Sequence, residues 1–253
     1  MGYLLTGFSL LCKKGLKRFV VLPLLINLVL FSIAFIWLWQ LMQQLIAATQ
    51  SMLPSWLAWL EYLLIPLGIM SLLISFAYSF TLVANIIAAP FNGLLSEKTE
   101  ALLSGRTPAE ISIQGFIQSI PAAITREWQK LWYILPRVVI LFVLCWFIPV
   151  LGPLLWFACS AWFYTMQYLD YPFDNNQVSF AQLRSEMKKA PGLTLSFGSA
   201  VAICSMLPFL NLLVMPAAVC GATALWCGRF ADQYDPALQA AGARSYRKLD
   251  KYC

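Results

Sequence analysis

Four long stretches of the chain contain no Asp, Glu, Lys or Arg, and they limit what it can fold into. They cover residues 19–60, 62–96, 138–169 and 190–228. A helix needs about 20 apolar residues to cross roughly 30 Å of hydrocarbon, so each stretch can hold at least one span. Only 11% of the 253 residues are charged, against about 25% in a soluble domain. The sequence therefore predicts an integral membrane protein and excludes the soluble globular, disordered and nucleic-acid-binding classes.

The first two stretches predict two full membrane crossings, at about 19–48 and 57–95. A small, partly polar segment around Pro54 separates them. An unbroken helix over residues 57–104 would be about 70 Å long, because each residue adds about 1.5 Å. We therefore expect the second helix to leave the membrane and to end at Gly105.

Prolines interrupt the last two stretches near their middles. The first contains Pro149 and Pro153, and the second contains Pro208 and then Pro216. The remaining arms of roughly 10–17 residues are short for a crossing, which favours half-penetrating hairpins at about 138–169 and 193–228. Full-length spans kinked at proline are the alternative. Broken helices at matching positions in two segments are typical of a transport pathway.

The remaining segments are more polar. Apolar residues recur at helical spacing over about 108–137, which predicts an amphipathic cytoplasmic segment. Residues 231–253 form a polar C-terminal tail, after a single membrane domain over 1–230. The predicted fold class is all-α integral membrane, with two long transmembrane helices and two proline-broken hairpins.

The basic residues predict one orientation in the membrane. All Lys and Arg lie within 13–18, 98–137, 184–189 and 229–251, and the connection 49–61 has none. Lys and Arg concentrate in cytoplasmic loops, so both termini and both middle segments are expected in the cytoplasm. Two crossings followed by two hairpins satisfy this distribution, as do two tight pairs of full crossings.

The basic stretch before the first span is a candidate anion site. Gly15 permits close approach of the backbone, and amides at the start of a helix point outward at the positive end of its dipole. Leu16 would contribute such an amide, while Lys17 and Arg18 add positive charge. The alternative is that these basic residues only set topology and contact anionic lipid.

Other polar residues near the apolar stretches are weaker candidates. We consider six of them for a pore or coupling role: Asn27, Asn85, Asn92, Glu97, Arg126 and Glu127. Carboxylates near the stretches, including Asp170 and Asp174, are expected to be water-facing helix caps. The alternative for Arg126, Glu127 and Arg137 is a surface ion pair. An interior carboxylate would instead be a functional candidate, because its burial in a membrane is costly.

No enzymatic or metal-binding pattern is present in the sequence. The chain has no histidine, and its seven cysteines include no CxxC pair, which predicts neither a metal site nor a disulfide framework. Nucleotide-binding and catalytic-serine motifs are also missing. We therefore expect no cofactor, no metal and no enzymatic activity, and a lipid-modifying enzyme is disfavoured.

Several long segments together resemble the CysZ family of bacterial inner-membrane sulfate permeases. They are GLKRFVVLPLLINLVLF (15–31), IAAPFNGLLSEKTEALLSG (87–105), REWQKLWYILPR (126–137), QYLDYPFDNN (167–176) and MLPFLNLLVMPAAVCGATALW (206–226). The resemblance covers most of residues 1–230 in the same order. Strings of this length are far more specific than a short motif.

The resemblance implies two long spanning helices, two half-penetrating hairpins and a homo-oligomer, with a hexamer as the expected assembly. It also implies sulfate binding at a Gly-Leu-Arg-Arg stretch, which corresponds here to Gly15, Leu16, Lys17 and Arg18. Lys17 departs from the family arginine, keeping the charge but losing the planar fork. The family is described as assembling from oppositely oriented protomers, whereas the one-sided Lys and Arg distribution here favours a single orientation.

The predicted function is sulfate uptake across the bacterial inner membrane into the cytoplasm, as the resemblance implies. It would supply sulfate assimilation and cysteine biosynthesis, through a channel or a proton-linked permease. The expected partners are sulfate, membrane lipids and further copies of the chain, with no nucleic acid. The alternative is a membrane scaffold or assembly factor that transports nothing and uses its basic stretch only to bind lipid.

Overall fold

The computed structural model describes residues 2–13, 16–105, 113–148 and 150–234, and over these residues the fold is all-helical, as predicted. A short 3₁₀ helix, Ser55–Leu60, precedes the third α-helix. The α-helices are α1 Gly2–Leu11, α2 Lys17–Met52, α3 Glu61–Ser104, α4 Ile113–Phe147, α5 Gly152–Asn175, α6 Phe180–Lys189, α7 Pro191–Ser205, α8 Pro208–Arg229 and α9 Ala231–Tyr234.

Among the residues that the structure describes, three helical segments are long and apolar enough to cross a membrane: Leu25–Met52, Trp56–Ser104 and Ile117–Phe147. The third differs from the sequence prediction, which divided it at residue 138 into an amphipathic segment and a hairpin arm. In the structure α4 continues through this point. Arg137 interrupts the run of apolar residues, but a charged side chain does not interrupt the backbone hydrogen bonds of a helix. The two segments therefore form one helix.

The interruptions predicted from the prolines correspond to breaks between helices. One break separates Phe147 from Gly152, and the other separates Ser205 from Pro208. In α5 and α8 a proline occupies the first turn, where its missing N–H leaves no helical hydrogen bond unmade. Pro216 behaves differently from the prediction, because α8 continues through it. That the two hairpins penetrate only half of the membrane stays a prediction.

The chain divides into two compact units, Val21–Ala88 and Met1–Val20 with Ala89–Cys253. Within the first unit the Phe31 ring centroid lies 5.2 Å from that of Phe80 and 5.8 Å from that of Phe76. Many large apolar side chains of this unit are exposed. Such side chains suit a lipid environment, where apolar surface carries no penalty.

The second unit has a core built on close helix contacts. The α5 and α8 helices meet at Phe173 and Trp226, whose ring centroids are 4.6 Å apart. Glycines allow other helix backbones to approach closely: Gly7 of α1 faces the backbone of Ala217 in α8, and Gly198 of α7 faces Ala161 in α5. Small residues at helix contacts are typical of packing inside membranes.

The Gly198→Ala variant is expected to destabilise the second unit. An added Cβ would overlap the carbonyl oxygen of Ala161 and lie 2.6 Å from the hydroxyl of Thr165. Overpacking of this kind costs about 1–3 kcal/mol, so the thermal midpoint in detergent should fall. Gly192→Ala is the matched control, because nothing lies within 4 Å of its added Cβ. An equal midpoint for the two variants would contradict the close α5–α7 contact.

Candidate functional site

The site begins with a buried ion pair between α4 and α5. Nη2 of Arg126 donates to Oδ1 of Asp170 at 2.8 Å, and its Nε donates to Oδ1 at 2.9 Å and to Oδ2 at 3.2 Å. The guanidinium also donates to the backbone carbonyl of Val178 at 3.0 Å. Asp170 is only 1% exposed. A bidentate contact of this kind is stronger and geometrically more specific than a single ion contact.

A second cation reaches the same carboxylate from the next turn of α4. Nζ of Lys130 lies 2.6 Å from Oε1 of Glu127 and 3.4 Å from Oδ2 of Asp170. Its side chain is 1% exposed, which is unusual for lysine unless its charge is paired. Because Arg126 and Lys130 are four residues apart, they lie on the same face of α4. The two basic residues and the two carboxylates form what we call the charge cluster.

Tyr171 and Asn92 connect the charge cluster to α3. The Tyr171 hydroxyl donates to Oε1 of Glu127 at 3.3 Å and accepts a hydrogen bond from Nδ2 of Asn92 at the same distance. Nζ of Lys130 lies 4.7 Å from the centroid of the Tyr171 ring. Burial, followed by the negative charge of Glu127, raises the pKa of Tyr171 well above its ordinary value. The hydroxyl therefore keeps its proton and remains a hydrogen-bond donor.

A cavity of about 150 Å³ lies beside the charge cluster, between α3, α4 and α5. Its charged lining residues are two cations and four carboxylates: Arg126, Lys130, Glu97, Glu127, Asp170 and Asp174. Both cations already contact carboxylates. The cavity is therefore better suited to a proton or another cation than to a free dianion.

Asp174 is a carboxylate of this cavity that is open to water, with 42% of its side chain exposed. Its Oδ1 lies 3.6 Å from Nε of Arg126. Partial burial raises the pKa of Asp174 above its ordinary value, although the positive charge of Arg126 acts in the opposite direction. The group therefore takes up a proton at a higher pH than an ordinary aspartate does.

The structure brings together four of the six residues considered for a pore or coupling role. Glu97, Arg126 and Glu127 line the cavity, and Asn92 contacts its Tyr171 wall. Asn27 lies in the other unit, where its buried Oδ1 has no hydrogen-bond partner among the described residues. The side chain of Asn85 lies outside the described part of the structure.

Two interpretations of these charges were wrong. Asp170 is not a water-facing cap, because it is buried and bound by two cations. Arg126 and Glu127 do not form a surface pair, because each pairs with another residue inside the charge cluster. Adjacent residues of a helix point about 100° apart, so neighbours in sequence seldom face each other.

The basic stretch before the first span is described only in part. Gly15 and the side chains of Lys17 and Arg18 lie outside the described part of the structure. Leu16 is 4% exposed and belongs to the hydrophobic core. Its amide donates to the Lys13 carbonyl at 3.4 Å, longer than the usual 2.9–3.0 Å of a good amide bond. A ligand at the Leu16 amide would have to displace this weak contact.

Lys130 and Tyr171 were not predicted as site residues. One signal for the site was available in the sequence, since Arg126 and Lys130 are four residues apart and so are Asp170 and Asp174. Each pair therefore shares one helix face, and the opposite charges suggest that the faces meet. Among the described residues, no group of three or more Cys, Asp or Glu side chains could hold a metal ion.

One comparison with known proteins bears on the site. Residues 3–216 match the family model described as Sulfate transporter CysZ/Etoposide-induced protein 2.4. The matched region includes the basic stretch, the charge cluster and all the residues that line the cavity.

The Asp170→Asn variant is expected to destabilise the protein strongly. Removing one partner of a buried ion pair costs about 3–5 kcal/mol, because the remaining charges stay buried without compensation. Thermal unfolding in detergent measures the effect, with Asp232→Asn on the exposed surface of α9 as the matched control. A double variant, Arg126→Gln/Asp170→Asn, should lose less stability than the sum of the two single variants. Strict additivity would show that the two groups do not interact.

Proposed function

Because the chain belongs to the CysZ/Etoposide-induced protein 2.4 family of sulfate transporters, we propose that it takes up sulfate across the bacterial inner membrane into the cytoplasm. The imported sulfate would feed sulfate assimilation and cysteine biosynthesis. The family match over residues 3–216 is the observation that carries this proposal. Three helices long enough to cross a membrane support it, because an ion needs a protein-lined route through lipid.

The proposed sulfate site is the stretch Gly15, Leu16, Lys17 and Arg18 at the start of α2. The first amides of a helix have no partner inside the helix and favour an anion. Lys17 and Arg18 would concentrate the dianion there and replace part of its hydration shell. Binding has to stay weak enough for the ion to leave again.

We further propose that uptake is linked to protons, with the cavity as the place where the proton binds. The support is the excess of carboxylates over cations in its lining and the raised pKa of Asp174. A proton on Asp174 would reduce the negative charge that an approaching sulfate meets. A passive channel is the other form of the proposal, and the two differ in their response to a pH gradient.

The working unit is proposed to be a homo-oligomer, expected to be a hexamer, embedded as a multi-pass protein in the inner membrane. Exposed apolar side chains on α2 and α3, such as Trp37, Leu67 and Tyr78, provide surface for lipid and for further copies of the chain. Such surfaces favour association through packing and not through a hydrophobic driving force, since lipid tails are also apolar.

Radiolabelled sulfate flux into proteoliposomes tests the proposed function. The wild type should take up sulfate, and Lys17→Ala/Arg18→Ala should reduce the initial rate about tenfold or more, since the variant removes both charges of the proposed site. Lys188→Ala/Arg229→Ala removes the same net charge from exposed positions and should keep the wild-type rate. If folded wild-type protein gives no more flux than empty liposomes, transport fails and the scaffold function takes its place.

Asp174→Asn tests the proton link. The raised pKa of Asp174 favours its protonated form as the pH falls, so lowering the pH on the side of the membrane that the cavity faces should accelerate sulfate uptake by the wild type. The variant cannot lose or gain this proton, and its flux should no longer respond to the gradient. Asp232→Asn is the control and should respond as the wild type does. Wild-type flux that ignores the gradient would establish the passive form.

A further inference from the structure

Two arginines from different helices lie against one aromatic ring. The region borders the charge cluster, since Cζ of Arg126 lies 5.7 Å from the centroid of the neighbouring Phe180 ring. Cζ of Arg137 in α4 lies 3.6 Å from the centroid of the Tyr133 ring. Cζ of Arg184 in α6 lies 4.8 Å from the same centroid. The Tyr133 ring therefore brings two positive charges into one small region of the structure.

Neither arginine forms an ion pair within the described residues. The nearby carboxylates are used elsewhere, since Asp170 binds Arg126 and Lys130 while Glu186 binds Lys189. Nη1 of Arg137 donates to the carbonyl of Tyr133 at 2.6 Å. Nε of Arg184 is buried and has no hydrogen-bond partner in the described part of the chain. Two like charges close together without a counterion repel each other. A bound anion would make the net electrostatic interaction attractive.

The aromatic side chains hold Arg184 in place before any ligand arrives. The Tyr133 and Phe180 rings meet edge to face with their centroids 5.8 Å apart. Cζ of Arg184 lies 5.2 Å from the Phe180 centroid as well as 4.8 Å from that of Tyr133. Both contacts are within the range of cation–π attraction. A guanidinium fixed in this way loses little conformational freedom when it binds.

The surroundings are typical of a membrane interface. Arg137 directly precedes the apolar stretch 138–169. Trp128 and Trp132 on the preceding turns are 58% and 74% exposed. Trp and Tyr collect with basic residues at the level of the lipid headgroups. An anion at this pair would therefore bind where headgroup phosphates lie and where an ion in solution meets the membrane.

We propose that Arg137 and Arg184 form a binding site for a tetrahedral oxyanion, separate from the stretch Gly15–Arg18. Each guanidinium presents a planar fork of N–H donors that matches two oxygens of a phosphate or sulfate. Two groups have this chemistry: the phosphate of an anionic phospholipid and free sulfate. The site does not depend on transport, so it goes beyond the proposed function.

The test compares the wild type with Arg137→Gln/Arg184→Gln in two arms. In the first, delipidated protein in detergent is unfolded thermally in sodium sulfate and in sodium chloride of equal ionic strength, because a ligand of the folded state raises the midpoint. In the second, native mass spectrometry measures retention of dioleoylphosphatidylglycerol against dioleoylphosphatidylcholine. Lys188→Gln, an exposed residue of the same helix as Arg184, is the control.

We expect the double variant to lose at least half of the sulfate-specific rise in midpoint, at least three-quarters of the phosphatidylglycerol retention, or both. The arm that changes identifies the source of the oxyanion. If the double variant does not fold, the single variant Arg137→Gln, at an exposed position, is measured in both arms instead. Replacing both arginines by lysine keeps the charge and should restore only part of the binding, because the fork is lost.

The proposal is overturned if folded variants match the wild type in both arms, or if Lys188→Gln loses as much as they do. Sulfate flux separates this failure from that of the proposed function. If the wild type transports sulfate and the variants are unchanged in both arms, only the oxyanion-site proposal fails. If the wild type shows no flux but its phosphatidylglycerol retention depends on the two arginines, only the transport proposal fails.

Discussion

The contacts of Asp170 with Arg126 and Lys130 join α4 to α5 in the larger unit. A carboxylate that is 1% exposed is costly to bury, and two cations from successive turns of α4 compensate it. Lys130 also binds Glu127. The carboxylate of Glu127 accepts a hydrogen bond from the Tyr171 hydroxyl, which in turn accepts one from Asn92 of α3. The cavity wall therefore has its shape because these charges have to be paired.

Charge is distributed unequally over this unit. One region is rich in carboxylates, and another has an excess of positive charge. Around the cavity, carboxylates outnumber cations, and both cations are neutralised. At Tyr133 the opposite holds, because Arg137 and Arg184 have no acidic partner in the described residues. A carboxylate-rich cavity suits proton exchange, whereas unpaired guanidiniums suit an oxyanion. The two regions are neighbours, since Arg126 of the charge cluster and Arg184 both lie near the Phe180 ring.

Much of the fold could be predicted because it follows from local properties. Uncharged stretches marked the long helices, and the prolines in the first turns of α5 and α8 marked the breaks. The continuity of α4 could not be predicted from hydropathy, since Arg137 divides the apolar stretch but not the helix. Pro216 also failed as a marker, because α8 continues through it.

The sequence by itself determined that the chain is an all-helical membrane protein, resembles one transporter family and carries a basic stretch before its first long helix. These properties depend on neighbours in the chain. Only the tertiary structure decided which charges meet, because Arg126 and Asp170 are 44 positions apart and pair only when α4 packs on α5. Packing likewise placed Arg184 beside Arg137. Charge pairing depends on distances of a few ångströms in space, which spacing along a chain does not specify.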